Sequence, residues 1–181
     1  LLFDDLIHTR RAISEHNQLT RVLESYSKGS NIEFNDLLNE VNMDDDSKNQ
    51  HPMINLIFTR DLGVVIGNTI LVTWSKKEVR NAENTLASKI FNNHPMFKAY
   101  KILDFHQIFP ELSIEGGDIC VLDNENICIG ISERTSKKSI EAILPHIIDI
   151  GFLRIYGIEL PKKRAMMHLD TVFTQLSSED F

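Results

Sequence analysis

Three acids, Asp61, Asp118 and Asp170, stand at the head of successive segments, 57 and 52 residues apart, and the apolar pattern that follows each one begins in the same way. After Asp61, apolar runs at 64–67 and 69–74 predict strands, Val79, Ala82, Leu86 and Ile90 share one face of a helix, and a strand follows at 101–105. After Asp118 the order recurs. Strands at 118–122 and 127–131 flank the turn Asp123-Asn124-Glu125-Asn126, Ile140, Ile143, Leu144 and Ile147 mark a helix, and Phe152 to Leu160 is a strand. Val172 to Leu176 predicts one more strand, the start of a third copy. Strand-strand-helix-strand units bury their faces by stacking on one another. The expected fold is therefore α/β with a weak internal repeat. A chain that enters inside one unit and leaves one strand into another is expected to need a further C-terminal segment or a complementary chain to finish its faces.

Upstream, Ala12, His16, Leu19, Leu23 and Tyr26 recur every three or four residues before Gly29, which predicts a helix over roughly 10–28. A short strand is expected near 32–34 and another at 56–58, with Gly67-Asn68 and Gly130 as turns. Residues 44–50 are polar throughout and read as a linker.

A hydrophobic fraction of 42% is that of an ordinary globular domain. The formal net charge of −7 disfavours a nucleic-acid or anionic-membrane partner, since either needs clustered basic residues to displace counterions. No apolar run is long enough to span a bilayer and Leu1-Leu2-Phe3-Asp4-Asp5 is too acidic for a signal peptide, so a cytoplasmic setting is expected. Cys120 and Cys128 fall inside apolar runs and read as buried thiols on neighbouring strands.

The polar residues that could carry chemistry sit beside the strands. A guanidinium is planar and permanently cationic, and a protein that takes one as substrate needs carboxylates able to accept paired hydrogen bonds in its plane. Asp61 in Phe58-Thr59-Arg60-Asp61 and Glu115 in Ile114-Glu115-Gly116-Gly117-Asp118 suit that task; equally, acids at strand ends serve as turn residues. Gly116 and Gly117 would let backbone approach a ligand closely. His168 and Asp170 alternate, so on an extended strand both would face one way and the acid could orient or charge the imidazole, a pairing suited to general acid and base work. A histidine beside an acid is also a common structural pair. Arg60, Arg80 and Arg134 are candidate anchors for a substrate carboxylate, and the histidines show no metal-ligand spacing.

The segments Asn55-Leu56-Ile57-Phe58-Thr59-Arg60-Asp61, Ile114 to Asp118, Gly130-Ile131-Ser132-Glu133-Arg134-Thr135 and Met167-His168-Leu169-Asp170-Thr171-Val172-Phe173-Thr174, in that order, closely resemble arginine deiminase. The resemblance extends over 1–181 as a partial catalytic domain, with the linker at 44–50 standing where that family carries a helical insertion. It implies the fold of the guanidine-modifying pentein superfamily, a five-fold α/β propeller of strand-strand-helix-strand units, here an incomplete ring. It further implies that L-arginine is hydrolysed to L-citrulline and ammonia without metal or cofactor. Asp61 and Asp170 would hold the guanidinium, Glu115 would pair with His168, and His168 would be the general acid and base. Asn55, Arg80 and Arg134 match positions that hold the backbone end of arginine. The family's nucleophilic cysteine lies beyond the histidine motif, so this chain alone is expected to be inactive. A remnant that binds arginine without turnover, or a sister enzyme acting on methylated arginine or transferring the amidino group, are the alternatives. Sequence leaves open whether the chain forms a homo-oligomer.

Overall fold

Residues 53–177 and 180, with 10–15, 17, 18 and 21, are described by the computed structural model. The chain divides into two units, Leu1–Met43 and Asp44–Phe181. In the first, the described residues from 10 to 21 are helical. The remainder of the expected helix, the strand near 32–34 and the linker at 44–50 lie outside the described residues.

The second unit holds two three-stranded sheets of the same construction. In the first sheet β1 (Gly63–Ile66) turns back on β2 (Thr69–Val72) through Gly67, whose φ of +58° suits a residue without a Cβ. The chain then crosses through α1 (Asn81–Asn93) to β3 (Lys101–Asp104), which lies parallel to β2. A short helix, α2 (Phe105–Ile108), follows, its first turn capped by the Asp104 carboxylate accepting from the Gln107 N–H at 3.2 Å. In the second sheet β4 (Ile119–Val121) pairs antiparallel with β5 (Asn126–Ile131), α3 (Lys137–Ile150) crosses over, and β6 (Arg154–Glu159) returns parallel to β5. Parallel neighbours need such a crossover, and an amphipathic helix supplies it. Among the described residues these sheets close no ring.

Both sheets feed a common core. Ile66, Leu71 and Leu103 of the first meet Ile119, Ile127 and Ile129 of the second, with Ile140, Ile143 and Ile147 of α3 packed over them. All four residues of β2 are buried, as expected of a strand covered on both faces. An isolated bridge joins the sheets: the Trp74 and Ile114 amides and carbonyls exchange hydrogen bonds of 3.0 and 2.9 Å. That bridge sets Glu115, one residue on, beside the segment leaving β2.

Three expected elements differ. Residues 56–58 form no strand; Ile54–Ile57 is a 3-10 helix, because the Asn55 N–H is held by the Glu83 carboxylate at 2.9 Å and, among the described residues, no strand lies alongside. Val172 to Leu176 is not a strand either. It follows the 3-10 helix Leu169–Thr171, and Val172 and Leu176 face solvent, so their alternation serves no core. Gly130 lies within β5 rather than in a turn.

Candidate active site

The ends of several elements meet where the two sheets join. Asp61 sits in the 3-10 helix Thr59–Asp61 just before β1, Glu115 just before β4, and His168 immediately ahead of the 3-10 helix Leu169–Thr171. The imidazole lies between two carboxylates, with Nε2 2.7 Å from Glu115 Oε2 and Nδ1 3.5 Å from Asp61 Oδ1. A Cβ on Gly117 would stand 2.7 Å from His168 Nδ1 and 3.0 Å from Asp61 Oδ1, so this glycine is what allows the ring and the acid to close on the loop. Its freedom serves a close approach within the protein.

Burial and charge oppose one another here. Burial pushes the Glu115 carboxyl up, but the His168 hydrogen bond and charge, Arg134 and the Lys76 N–H outweigh it and hold the group below its ordinary range. Burial likewise pushes His168 down, while Glu115, Asp61 and Asp118 outweigh it and raise its pKa. Both shifts favour the imidazolium–carboxylate form of the pair. Asp170 lies at the exposed rim, and what burial it has raises its pKa. His168 and Asp170 do not share a strand face: the 3-10 turn carries Asp170 outward, 3.9 Å from the Arg60 Nε, and leaves Glu115 as the ring's close partner.

Arg80, a candidate anchor for a substrate carboxylate, is 2% exposed and bonded within the protein. Its Nε donates to Glu83 at 2.8 Å, Nη1 to Asp61 at 2.7 Å, and Nη2 to the carbonyls of Asn55 and Phe58 at 3.1 and 3.2 Å. A guanidinium has five N–H donors, so four are spent. Arg80 sets the orientation of Asp61. Glu83, which sequence reasoning passed over, fixes Arg80 in turn and holds the Asn55 amide; its spacing of three from Arg80 at a helix start was the available signal.

Two buried polar atoms of the site lack partners among the described residues: the acceptor Asn55 Oδ1 and the donor Arg134 Nε. Such groups are rare in folded proteins and mark places where a ligand or water completes the bonding. Arg134 Nη1 lies 3.5 Å from Glu115 Oε1. Arg60 donates to the Ile119 carbonyl while its Nε stays beside Asp170. Cys120 and Cys128 oppose one another across β4 and β5, and burial pushes both thiols up, the opposite of what a thiolate nucleophile needs.

Asp61, Glu115 and His168 offer three ligand atoms within 4.8 Å of one another. The two carboxylates, however, sit against different ring nitrogens, so one ion could not take all three without turning the imidazole. The arrangement fits a proton carrier held between anions. Among the described residues no helix is long and apolar enough to cross a membrane.

A family model for arginine deiminase matches residues 26–181. An arginine deiminase of Borrelia garinii subsp. bavariensis is 39% identical over 160 residues, covering 84% of this chain and 39% of that protein. One of Clostridium perfringens is 37% identical over 133 residues, covering 72% and 32%. The chain thus spans well under half the length of the curated relatives it matches. Among solved structures, a dimethylarginine dimethylaminohydrolase adduct with 4-chloro-2-hydroxymethylpyridine superposes with a TM-score of 0.57 at 18% identity, over 88% of this chain and 54% of that one. The N-terminal domain of a cyanobacterial arginine dihydrolase, bound to its product, gives 0.55 at 18% identity, over 67% and 41%. At such identities the likeness is one of fold.

Proposed function

The chain belongs to the arginine deiminase family, and from that premise we propose that it forms the guanidinium-holding and proton-carrying part of an enzyme hydrolysing L-arginine to L-citrulline and ammonia. The observation that carries this is the imidazole of His168 clamped between Glu115 and Asp61, with Asp170 beside it. The sheets would be two blades of a five-fold pentein ring.

In this account Glu115 is sealed and serves His168, whereas Asp61 and Asp170, at 13% and 35% side-chain exposure, are the acids open to a ligand. They accept the guanidinium N–H groups. Asn55 Oδ1 and Arg134 Nε, a buried acceptor and donor without partners among the described residues, suit the α-ammonium and α-carboxylate of an amino acid. Arg80 keeps Asp61 in place rather than touching substrate. A cysteine thiolate, supplied from a C-terminal segment or a complementary chain, attacks the guanidinium carbon. His168 gives its proton to the departing nitrogen as the C–N bond breaks and ammonia leaves. Neutral His168 then takes a proton from water, whose oxygen attacks the same carbon, and the C–S bond breaks to release citrulline. A raised His168 pKa suits the first step, since it favours the acid form of the ring.

The test is the complete protein with L-arginine. Citrulline and ammonia are expected in equal amounts, and H168Q is expected to abolish both; a folded complete protein that makes no citrulline would refute the proposal.

A further inference from the structure

Asp118 has no part in the chemistry just described, yet it is fully buried, at 0% exposure, in the middle of the site's supports. Its Oδ1 accepts the Leu169 N–H at 3.0 Å, the amide directly after His168, and its Oδ2 accepts the Ser132 hydroxyl at 2.7 Å. Ser132 Oγ in turn accepts the N–H groups of Arg134 and Thr135 at 2.9 and 3.1 Å. Thr135 Oγ1 accepts the Glu115 N–H at 3.1 Å. The backbone of His168, Arg134 and Glu115 is thus tied into one chain of hydrogen bonds. β5 leaves room for it: a Cβ on Gly130 would stand 2.5 Å from Asp118 Oδ1 and 3.1 Å from Leu169 Cβ.

The chemistry of this network requires a carboxylate. Both oxygens of Asp118 face donors, and Ser132 Oγ already accepts two N–H groups, so its single proton must point at Asp118. An amide at this position would set its NH2 either against the Leu169 N–H or against a hydroxyl oxygen with no free lone pair. One support would break. Burial raises the Asp118 pKa, a standing cost that an ordinary structural acceptor would avoid.

We propose that Asp118 is a positioning residue that fixes the His168 ring against Glu115 through the Leu169 amide and the Arg134 loop through Ser132. This rests on the function proposed above for what is being positioned, and its test uses no substrate. In the full chain, NMR follows the His168 imidazole N–H and its titration, set by Glu115, Asp61, Asp118 and Asp170, together with hydrogen exchange at Leu169 and in β5. D118N is expected to lose the imidazole N–H resonance and to speed Leu169 exchange at least about tenfold, the loss of one buried hydrogen bond, while Ile127 and Ile129 stay protected. S132A, which keeps the Asp118 charge and is read in place of D118N where that variant does not fold, is expected to speed exchange at Arg134 and Thr135 while the His168 signal persists. Unchanged His168 and Leu169 signals in D118N, or in S132A exchange that rises equally throughout β5, would overturn the proposal. Failure of wild-type protein to bind arginine would refute the proposed function and leave these outcomes standing.

Discussion

His168 Nε2 and Glu115 Oε2 lie 2.7 Å apart with side-chain exposures of 6% and 1%, an acid–imidazole pair enclosed by protein on nearly every side. Removing one partner of such a pair leaves a buried charge uncompensated. E115Q is therefore expected to lower the His168 pKa and to cost about 3 kcal/mol of stability, read by NMR titration and urea unfolding.

The same pair gives stability a defined dependence on pH. His168 is raised above its ordinary 6.5, so its contribution is fully present below 6.5 and is lost as pH rises through the folded value. Glu115 is lowered below its ordinary 4.5, so its contribution is present above 4.5 and is lost as pH falls through the folded value. The stability difference between wild type and E115Q is expected to be level between 4.5 and 6.5 and to shrink on either side. A difference that grows above neutral pH would contradict this.

Arg80 tests the separation of support from substrate binding. With four N–H groups spent on protein acceptors, R80A would strand Glu83, which is 1% exposed, and release Asp61. A loss of about 3 kcal/mol in unfolding free energy is expected. An R80A protein of wild-type stability that merely binds arginine more weakly would return Arg80 to the role of a substrate anchor.

G117A places a methyl group 2.7 Å from His168 Nδ1. The ring must shift, and a cost of about 1–3 kcal/mol is expected from overpacking, with citrulline formation by the complete protein reduced about a hundredfold. Unaltered turnover in G117A would show that the ring's present seat is not the working one.

The sequence carried the two sheets because their strands are apolar runs bounded by turn residues, and α3 because Ile140, Ile143 and Ile147 share one buried face. Val172 to Leu176 misled for the same reason: alternation looks alike whether or not another strand lies alongside. The acids and the histidine were visible from their places beside strands. Their partners were not, since pairing between Glu115 and His168, 53 residues apart, depends on how the two sheets meet. Asp118 looked like a marker of the repeat, and Ser132 and Thr135 like loop polars. Their shared hydrogen bonds exist only once β5 runs past them at Gly130. Arg80 was legible as a cation but not as a spent one, because Glu83 and the carbonyls of Asn55 and Phe58 reach it only in the folded chain.

Calorimetric titration with L-arginine, in wild type and in D170N, bears most closely on the claim that Asp61 and Asp170 together hold a guanidinium. Binding by the wild-type protein and an affinity at least about tenfold lower in D170N, the loss of a charged hydrogen bond, are expected. Arginine bound equally well by both proteins, or no heat from folded wild-type protein at millimolar ligand, would contradict it.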